Sequence, residues 1–379
     1  MLARDGHRPT IFERFETPQP VGSGLMLQPV GLAVLGELGL ADTLITRGAR
    51  IDRLFGRAGR SVVLDVRYGA LGRRAGFGVG IHRASLFATL HDAASAAGIP
   101  IEAGRAISAS RHDRDGRRLI FADGGDSAPF DLVIDALGSR SALAPPSNGA
   151  LTYGALWASL DWPGTPFDTC ALEQRYYRAS RMTGVLPIGI PPGAASEKAA
   201  FFWSLRRDRL DDWRAAGLTV WKEEVRALWP ATEPLLAQIT DAEQLTFAQY
   251  AHRTLATPAE PALIHIGDAW HSTSPQLGQG VNMALLDAWA VAKALREREE
   301  IADALPHAIA LRRRHVALYQ AMSRLFTPVY QSDSRMLPML RDWLVGPLSR
   351  IWPATLIQAA MVSGLAGNPL PVLGLDARD

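Results

Sequence analysis

Residues 263–288, LIHIGDAWHSTSPQLGQGVNMALLDA, constrain the fold more than any other stretch of the chain. The apolar run 263–266 is of the kind that buried parallel strands use, and Gly267 and Asp268 end it. Asp268 therefore stands at a strand's carboxyl end, the edge where open α/β sheets bind ligands. An acceptor-only carboxylate there suits the hydroxyls of a ribityl or ribose chain. Beyond it, Pro275, Gly278 and Gly280 leave the backbone bare enough for a flat ring system to approach. Residues 281–288 read as a helix whose unsatisfied N–H groups and positive dipole end point back at that bend, so an electron-rich ring oxygen would be stabilised there. A plain strand, turn and helix is the bland alternative, and the joint spacing of acid, proline and both glycines speaks against it.

The segment resembles the second flavin fingerprint of the FAD-dependent monooxygenases of the aromatic-hydroxylase (p-hydroxybenzoate hydroxylase-like) type, GDAAHxxxPxxGQGxNxAxxDA, and departs from it only at Trp270. The resemblance implies that Asp268 contacts the ribityl-pyrophosphate part of FAD and that Pro275 lies by the reactive edge of the isoalloxazine. Gly278 would keep the bend open, and Gly280, Val281 and Asn282 would meet the pyrimidine side. His271 has two readings, a base acting on a phenolic substrate and a hydrogen-bonded histidine at a strand end.

The amino end carries a second signal. Residues 1–6 look like the last turn of a helix stopped by glycine, and 9–12 are a strand ending in Glu13. An acidic residue at the end of the second strand is where a dinucleotide-binding fold holds the adenosine ribose, and Glu13 with Arg14 fits the family pattern. The preceding strand and its GxGxxG loop, which carry the pyrophosphate, are absent from the sequence. The expectation is an N-terminally incomplete FAD-binding domain, short of about 25 residues because the start is placed too far downstream. The competing reading is a natural remnant that no longer binds FAD.

Between these ends, strand and helix signals alternate as in a doubly wound sheet. A helix is predicted over 29–38, after a loop at 21–28 that passes the flavin in the resembling family, and a hairpin over 51–66. Residues 82–97 form an amphipathic helix with Leu86, Leu90 and Ala94 on one stripe. Arg83 in its first turn is poorly placed for the helix dipole and so is a candidate to meet an anionic group; in the family an arginine here contacts FAD. Residues 130–141, FDLVIDALGSRS, resemble the family's DLVVGADGxxS, with Asp135 for a glycine and Leu137 for the aspartate that serves both the FAD pyrophosphate and reduction by NAD(P)H. Asp135 reads equally as a substitute acid or as a strand-end cap.

From about 151 the pattern changes to strands with proline turns and many aromatic residues, a mostly antiparallel sheet with one aromatic face. After the flavin segment, helices follow. The run Arg312, Arg313, Arg314, His315 reads as a solvated face, and residues 336–365 are apolar but broken by prolines and arginines, which favours packing helices or a dimer surface over a membrane span. Peripheral membrane contact stays open.

At 379 residues, 47% hydrophobic and 21% charged, the chain can bury a large core. A net charge near +2 without a basic stripe argues against nucleic acid as partner, no metal motif is present, and the single Cys170 fits a reducing cytoplasm. The expected fold is α/β. A Rossmann-like doubly wound FAD-binding domain with its first strand missing spans 1–150, a substrate-domain sheet 151–255, the returning FAD-domain strand and helix 256–300, and C-terminal helices 301–379. The resemblance implies an FAD-dependent monooxygenase, with NAD(P)H as electron donor, that transfers one oxygen atom of O₂ to a small aromatic or unsaturated substrate through a flavin C4a-hydroperoxide. A dehydrogenase or reductase of the same fold is the rival.

Overall fold

The computed structural model describes the whole chain except residues 21, 75, 147–148, 347–350 and 378–379. Parallel pairing marks the α/β part. Strand Ile11–Phe12 pairs with Ile101–Glu102, and Val133–Asp135 pairs with Leu263–His265, which Ala259–Glu260 flanks in antiparallel fashion. No hydrogen-bonded strand joins these two pairs among the described residues. Phe12 instead packs across the divide on Phe121 and Phe130, at centroid distances of 5.5 and 5.8 Å, while Ile11 is 40% exposed.

Helix Pro29–Glu37 begins on proline, whose fixed φ suits a first turn. Its small Gly31 lets helix Gly280–Glu297 cross closely, since a Cβ there would meet Asn282 Oδ1 at 2.2 Å. Helix Arg83–Ala96 follows strand Gly78–His82, and the 30-residue helix Ile301–Tyr330 lies along Gly280–Glu297 with Ile309, Val316 and Tyr319 in the shared core.

The second sheet has seven strands and is antiparallel but for one parallel pair, Arg53–Ala58 with Ala171–Tyr177. The expected hairpin forms as Arg53–Ala58 with Ser61–Arg67 and extends the large sheet, while the separate strand Ala49–Ile51 just before it pairs with Gly78–His82. The aromatic residues do not share one face. Strand alternation sends Phe201 and Trp203 outward onto Trp221 and Trp229 beneath helix Leu210–Leu228, and sends Trp157, Phe202 and Tyr176 inward. No described helix is long and apolar enough to cross a membrane.

Candidate functional site

Where strand Leu263–His265 ends, the chain makes one short turn at Gly267–Ala269 and another at Pro275–Leu277. Gly278 closes the second turn at φ +60°, a left-handed conformation that glycine adopts without strain. Helix Gly280–Glu297 then starts with no side-chain cap, its first internal bond running from Met283 N–H to Gln279 O at 2.9 Å. The N–H groups of Gly280, Val281 and Asn282 precede that bond and point at the bend. Pro275 and Gly280 are exposed, and a Cβ built on Gly280 would meet nothing within 4 Å. A bare, donor-rich surface with open space above it is the result.

Asp268 and Arg83 lie within electrostatic reach of one another. Asp268 is exposed, yet burial of its surroundings pushes its carboxyl above the usual range, against the opposing influence of His271 and Arg83. Exposure together with poor hydration is the mark of a cleft floor. Arg83 is exposed and has no ion-pair partner among the described residues, and its Nε lies 3.3 Å from where a Cβ on Gly22 would sit. The adjoining loop is fixed by Ser23 Oγ, 2.7 Å from Ser159 Oγ, which His82 Nε2 also approaches at 3.1 Å. Val21 lies outside the described residues.

Buried polar groups hold the bend from behind. Asp287 accepts from Gly267 N–H at 2.9 Å, from Arg312 Nε at 2.7 Å and from His271 Nε2 at 2.6 Å. Burial works against its charge, but His271 and Arg312 outweigh burial and keep it ionised. His271, 4% exposed, is thus a hydrogen-bonded strand-end histidine in this geometry. Arg312 is 1% and His315 4% exposed, so the basic run is not a solvated face: half of it turns inward between two helices and the C-terminal segment, where His315 Nε2 meets Gly364 O at 2.9 Å. The Asn282 side chain is also spent internally. Its Oδ1 accepts from Gln28 N–H, and its Nδ2 donates to Met26 O and Gly278 O.

At the neighbouring strand end, Asp135 is a cap. Oδ1 accepts from Leu137 N–H at 2.9 Å, Oδ2 from Ser141 Oγ at 2.6 Å, and His265 Nδ1 lies 2.6 Å from Oδ2. With 1% exposure and both oxygens engaged, it does not replace the acid missing at Leu137, which is itself 41% exposed. Arg253, absent from the sequence reading, ties this turn down through Ser139 O and Pro145 O. Glu13 Oε1 accepts from Phe15 N–H at 3.0 Å, and the Arg14 guanidinium sits 4.6 Å from the Phe15 ring centroid. No hydrogen bond or ion pair among the described residues joins Glu13 or Arg14 to the bend; they stand on the other sheet fragment.

The inward sheet face approaches the cleft with Trp157, whose Nε1 donates to Tyr250 Oη at 2.9 Å, and with Phe202, 4.7 Å from Trp157. Burial pushes the Tyr250 phenol up to about 12, against Trp157 and Arg83. Past Pro275, a cavity of about 330 Å³ is lined by Tyr153, His252, Arg324, Thr327 and Gln331 among others. Thr327 Oγ1 lies 2.6 Å from Ser274 Oγ, so this cavity adjoins the bend at Ser274.

These residues fit a flavin at its ring and ribityl end: a free cation, a carboxylate on a cleft floor, and uncapped N–H groups around a bare backbone. Fold and site together define a flavin-dependent oxidoreductase. Residues 1–317 match the model of the FAD binding domain family, and the chain belongs to that family. It is 26% identical over 323 residues to the FAD-dependent urate hydroxylase of Klebsiella pneumoniae, covering 80% of this chain and 79% of that one. It is 29% identical over 304 residues to the 3-amino-4-hydroxybenzoate 2-monooxygenase of Streptomyces cremeus, with 73% and 70% covered. Among solved structures, Klebsiella pneumoniae HpxO complexed with FAD and uric acid superposes with a TM-score of 0.77 at 18% identity, covering 96% of this chain and 92% of that one. The tetrameric form of 2-methyl-3-hydroxypyridine-5-carboxylic acid oxygenase gives 0.75 at 19%, with 94% and 91% covered.

Proposed function

We propose that this chain inserts one atom of O₂ into a small, electron-rich aromatic or unsaturated substrate, the second atom leaving as water with two electrons from NAD(P)H. The observation that carries the reading is the bare bend from Pro275 to Gly280, with open space above it and uncapped N–H groups below. FAD supplies the redox and oxygen chemistry when bound. The chain's own residues supply position and field. Asp268 accepts hydroxyls of the ribityl chain, Arg83 faces anionic groups, and the N–H groups of Gly280 to Asn282 stabilise negative charge on the pyrimidine side. Glu13 and Arg14 are the adenosine end of the same proposal.

For the substrate, we place the ring between Pro275 and the Trp157–Tyr250 face, with the cavity beside Arg324 and His252 receiving an acidic substituent. The named substrates of the relatives, urate and 3-amino-4-hydroxybenzoate, are oxygenated rings of this kind.

The test is a spectrum followed by turnover. Purified protein supplied with FAD should turn yellow, and with NAD(P)H and a panel of hydroxylated benzoates, pyridines and purines it should give a product carrying one ¹⁸O from ¹⁸O₂. Flavin-loaded protein that oxidises or reduces a ring or alkene without placing ¹⁸O in the product would assign it to the dehydrogenase or reductase class. Failure to take up FAD would remove the enzyme reading altogether.

A further inference from the structure

His82 stands immediately before helix Arg83–Ala96 and holds two elements at once. Its Nδ1 accepts from Ala84 N–H at 3.1 Å, which caps the helix, and its Nε2 lies 3.1 Å from Ser159 Oγ on the large sheet. Ser159 Oγ is 2.7 Å from Ser23 Oγ, which donates to Ala158 O at 3.3 Å. The protons of this chain run one way. A ring nitrogen that accepts from a backbone N–H carries no proton, so the proton of the neutral imidazole stands on Nε2 and is donated to Ser159, which in turn donates to Ser23.

Arg83 depends on both ends of this chain. Its helical turn is the one that His82 caps, and its backbone N–H donates to Ser23 O at 3.0 Å. Its Nε, Cζ and Cδ lie 3.3, 3.6 and 3.7 Å from where a Cβ on Gly22 would sit, so the side chain crosses the loop that Ser159 fixes. A second proton on His82 would go to Nδ1 and set two N–H groups against each other, which opens the cap. The surroundings resist that proton. Burial first, then Arg83 beside the ring and Lys198 from the large sheet, hold His82 below the ordinary imidazole range. Asp161, two residues beyond Ser159 on the same strand, is already taken by Lys198 at 2.7 Å and Ser196 at 2.6 Å.

We propose that neutral His82 is the positioning residue that sets Arg83 against an anionic group of bound FAD, and that a proton on its Nδ1 releases Arg83 and the Gly22–Ser23 loop together. The proposal rests on the FAD reading above. FAD affinity then falls on acidification. A direct charge effect would have the opposite sign, because an imidazolium near an anion tightens binding.

The experiment is a fluorescence titration with FAD at about pH 8 and about pH 5.5, with circular dichroism showing the apoprotein folded at both. Wild type should bind about fivefold more weakly at the lower pH, the measure of a lost cap. His82→Asn keeps an uncharged acceptor at the cap, so it should bind as wild type does at the higher pH and lose the pH dependence. His82→Ala should bind about fivefold more weakly at both. Arg83→Ala should weaken binding about tenfold, and His82→Ala should add nothing in that background. Wild-type affinity that is constant or rises on acidification would overturn the proposal, as would an unchanged pH dependence in His82→Asn or an additive effect of the two alanine changes. Unaltered affinity in Arg83→Ala, or a wild type that does not bind FAD, would instead sink the functional reading on which it stands.

Discussion

His315 is neutral in the fold because of what it touches. Its Nδ1 accepts from Arg312 Nη1 at 3.0 Å, its Nε2 donates to Gly364 O, and burial followed by the Arg312 charge lowers its pKa from 6.5 to about 3. For a base with a depressed folded value, the unfolded chain takes up a proton below 6.5 that the folded chain refuses until about 3. The stability is complete above that upper limit and is lost as pH falls through it, by about 1.4 kcal/mol per pH unit. Melting temperature should therefore fall between pH 6.5 and 4.5, and His315→Gln, which keeps one donor and one acceptor, should flatten that slope; an unchanged slope would count against the assignment. Arg324 carries a second prediction. It faces His252 and lowers its pKa after burial has done so, with no ion pair of its own among the described residues. Arg324→Ala should raise KM for carboxylated ring substrates about tenfold and leave neutral analogues unaffected, as expected when a charge-assisted contact of about 1.5–3 kcal/mol is lost. Equal effects on both substrate types would refute the placement. The places of Asp268 just past a strand end, Pro275 and Gly280 at the bend and Arg83 in a helix's first turn were legible in the sequence, because each follows from spacing along one strand, turn or helix, while their contacts with FAD belong to the proposal. The parts of Arg253 and Arg312 were not, since each holds the site through a partner 25 or more positions away that only tertiary packing brings near.

Elements were legible where periodicity was strong. The helices at Pro29–Glu37, Arg83–Ala96 and Gly280–Glu297 fall within a few residues of the pattern that predicts them. Strand partners were less so, because alternation specifies a face but not a neighbour. In the strand Lys198–Arg206, alternation already puts Phe201 and Phe202 on opposite faces, but their cross-strand neighbours Val185 and Gly184 follow only from the register. The divided parallel sheet makes its own prediction. Ile11 and Glu13 donate to Pro100 O and Glu102 O, and Val133 donates to Ala262 O, so strand alternation turns the N–H groups of Phe12 and Ile134 toward the gap between the two sheet fragments. Amide hydrogen exchange should find Phe12 and Ile134 at least tenfold less protected than Ile11 and Val133, although all four belong to strands. Equal protection across the four would mean that the two fragments are bridged.

On the scale of the whole molecule, the surface is uneven. Met336, Met339, Leu340, Trp343, Ile351, Trp352 and Ile357 are each more than half exposed, with Trp343 at 90% and Trp352 at 80%. The one arginine in this stretch that the structure describes in full, Arg341, turns inward and is completely buried, with its guanidinium near the Tyr176 and Tyr330 rings, so it gives the patch no charge. Soluble monomers rarely leave many large apolar side chains uncovered in one region of the chain, and a stable pair of subunits covers about 800 Å² on each partner with apolar and aromatic side chains at its centre. The expectation to test is that these side chains are covered by a second copy of the chain. Sedimentation velocity at micromolar concentrations should show a dimer, and Trp343→Ser with Trp352→Ser should shift it to monomer, because two central aromatic anchors dominate an interface of this kind. The wild type sedimenting as a monomer at every concentration would refute the pairing. If that monomer floated with anionic vesicles while the double variant did not, the patch would belong to a membrane surface instead, where exposed tryptophan sits at the headgroup level.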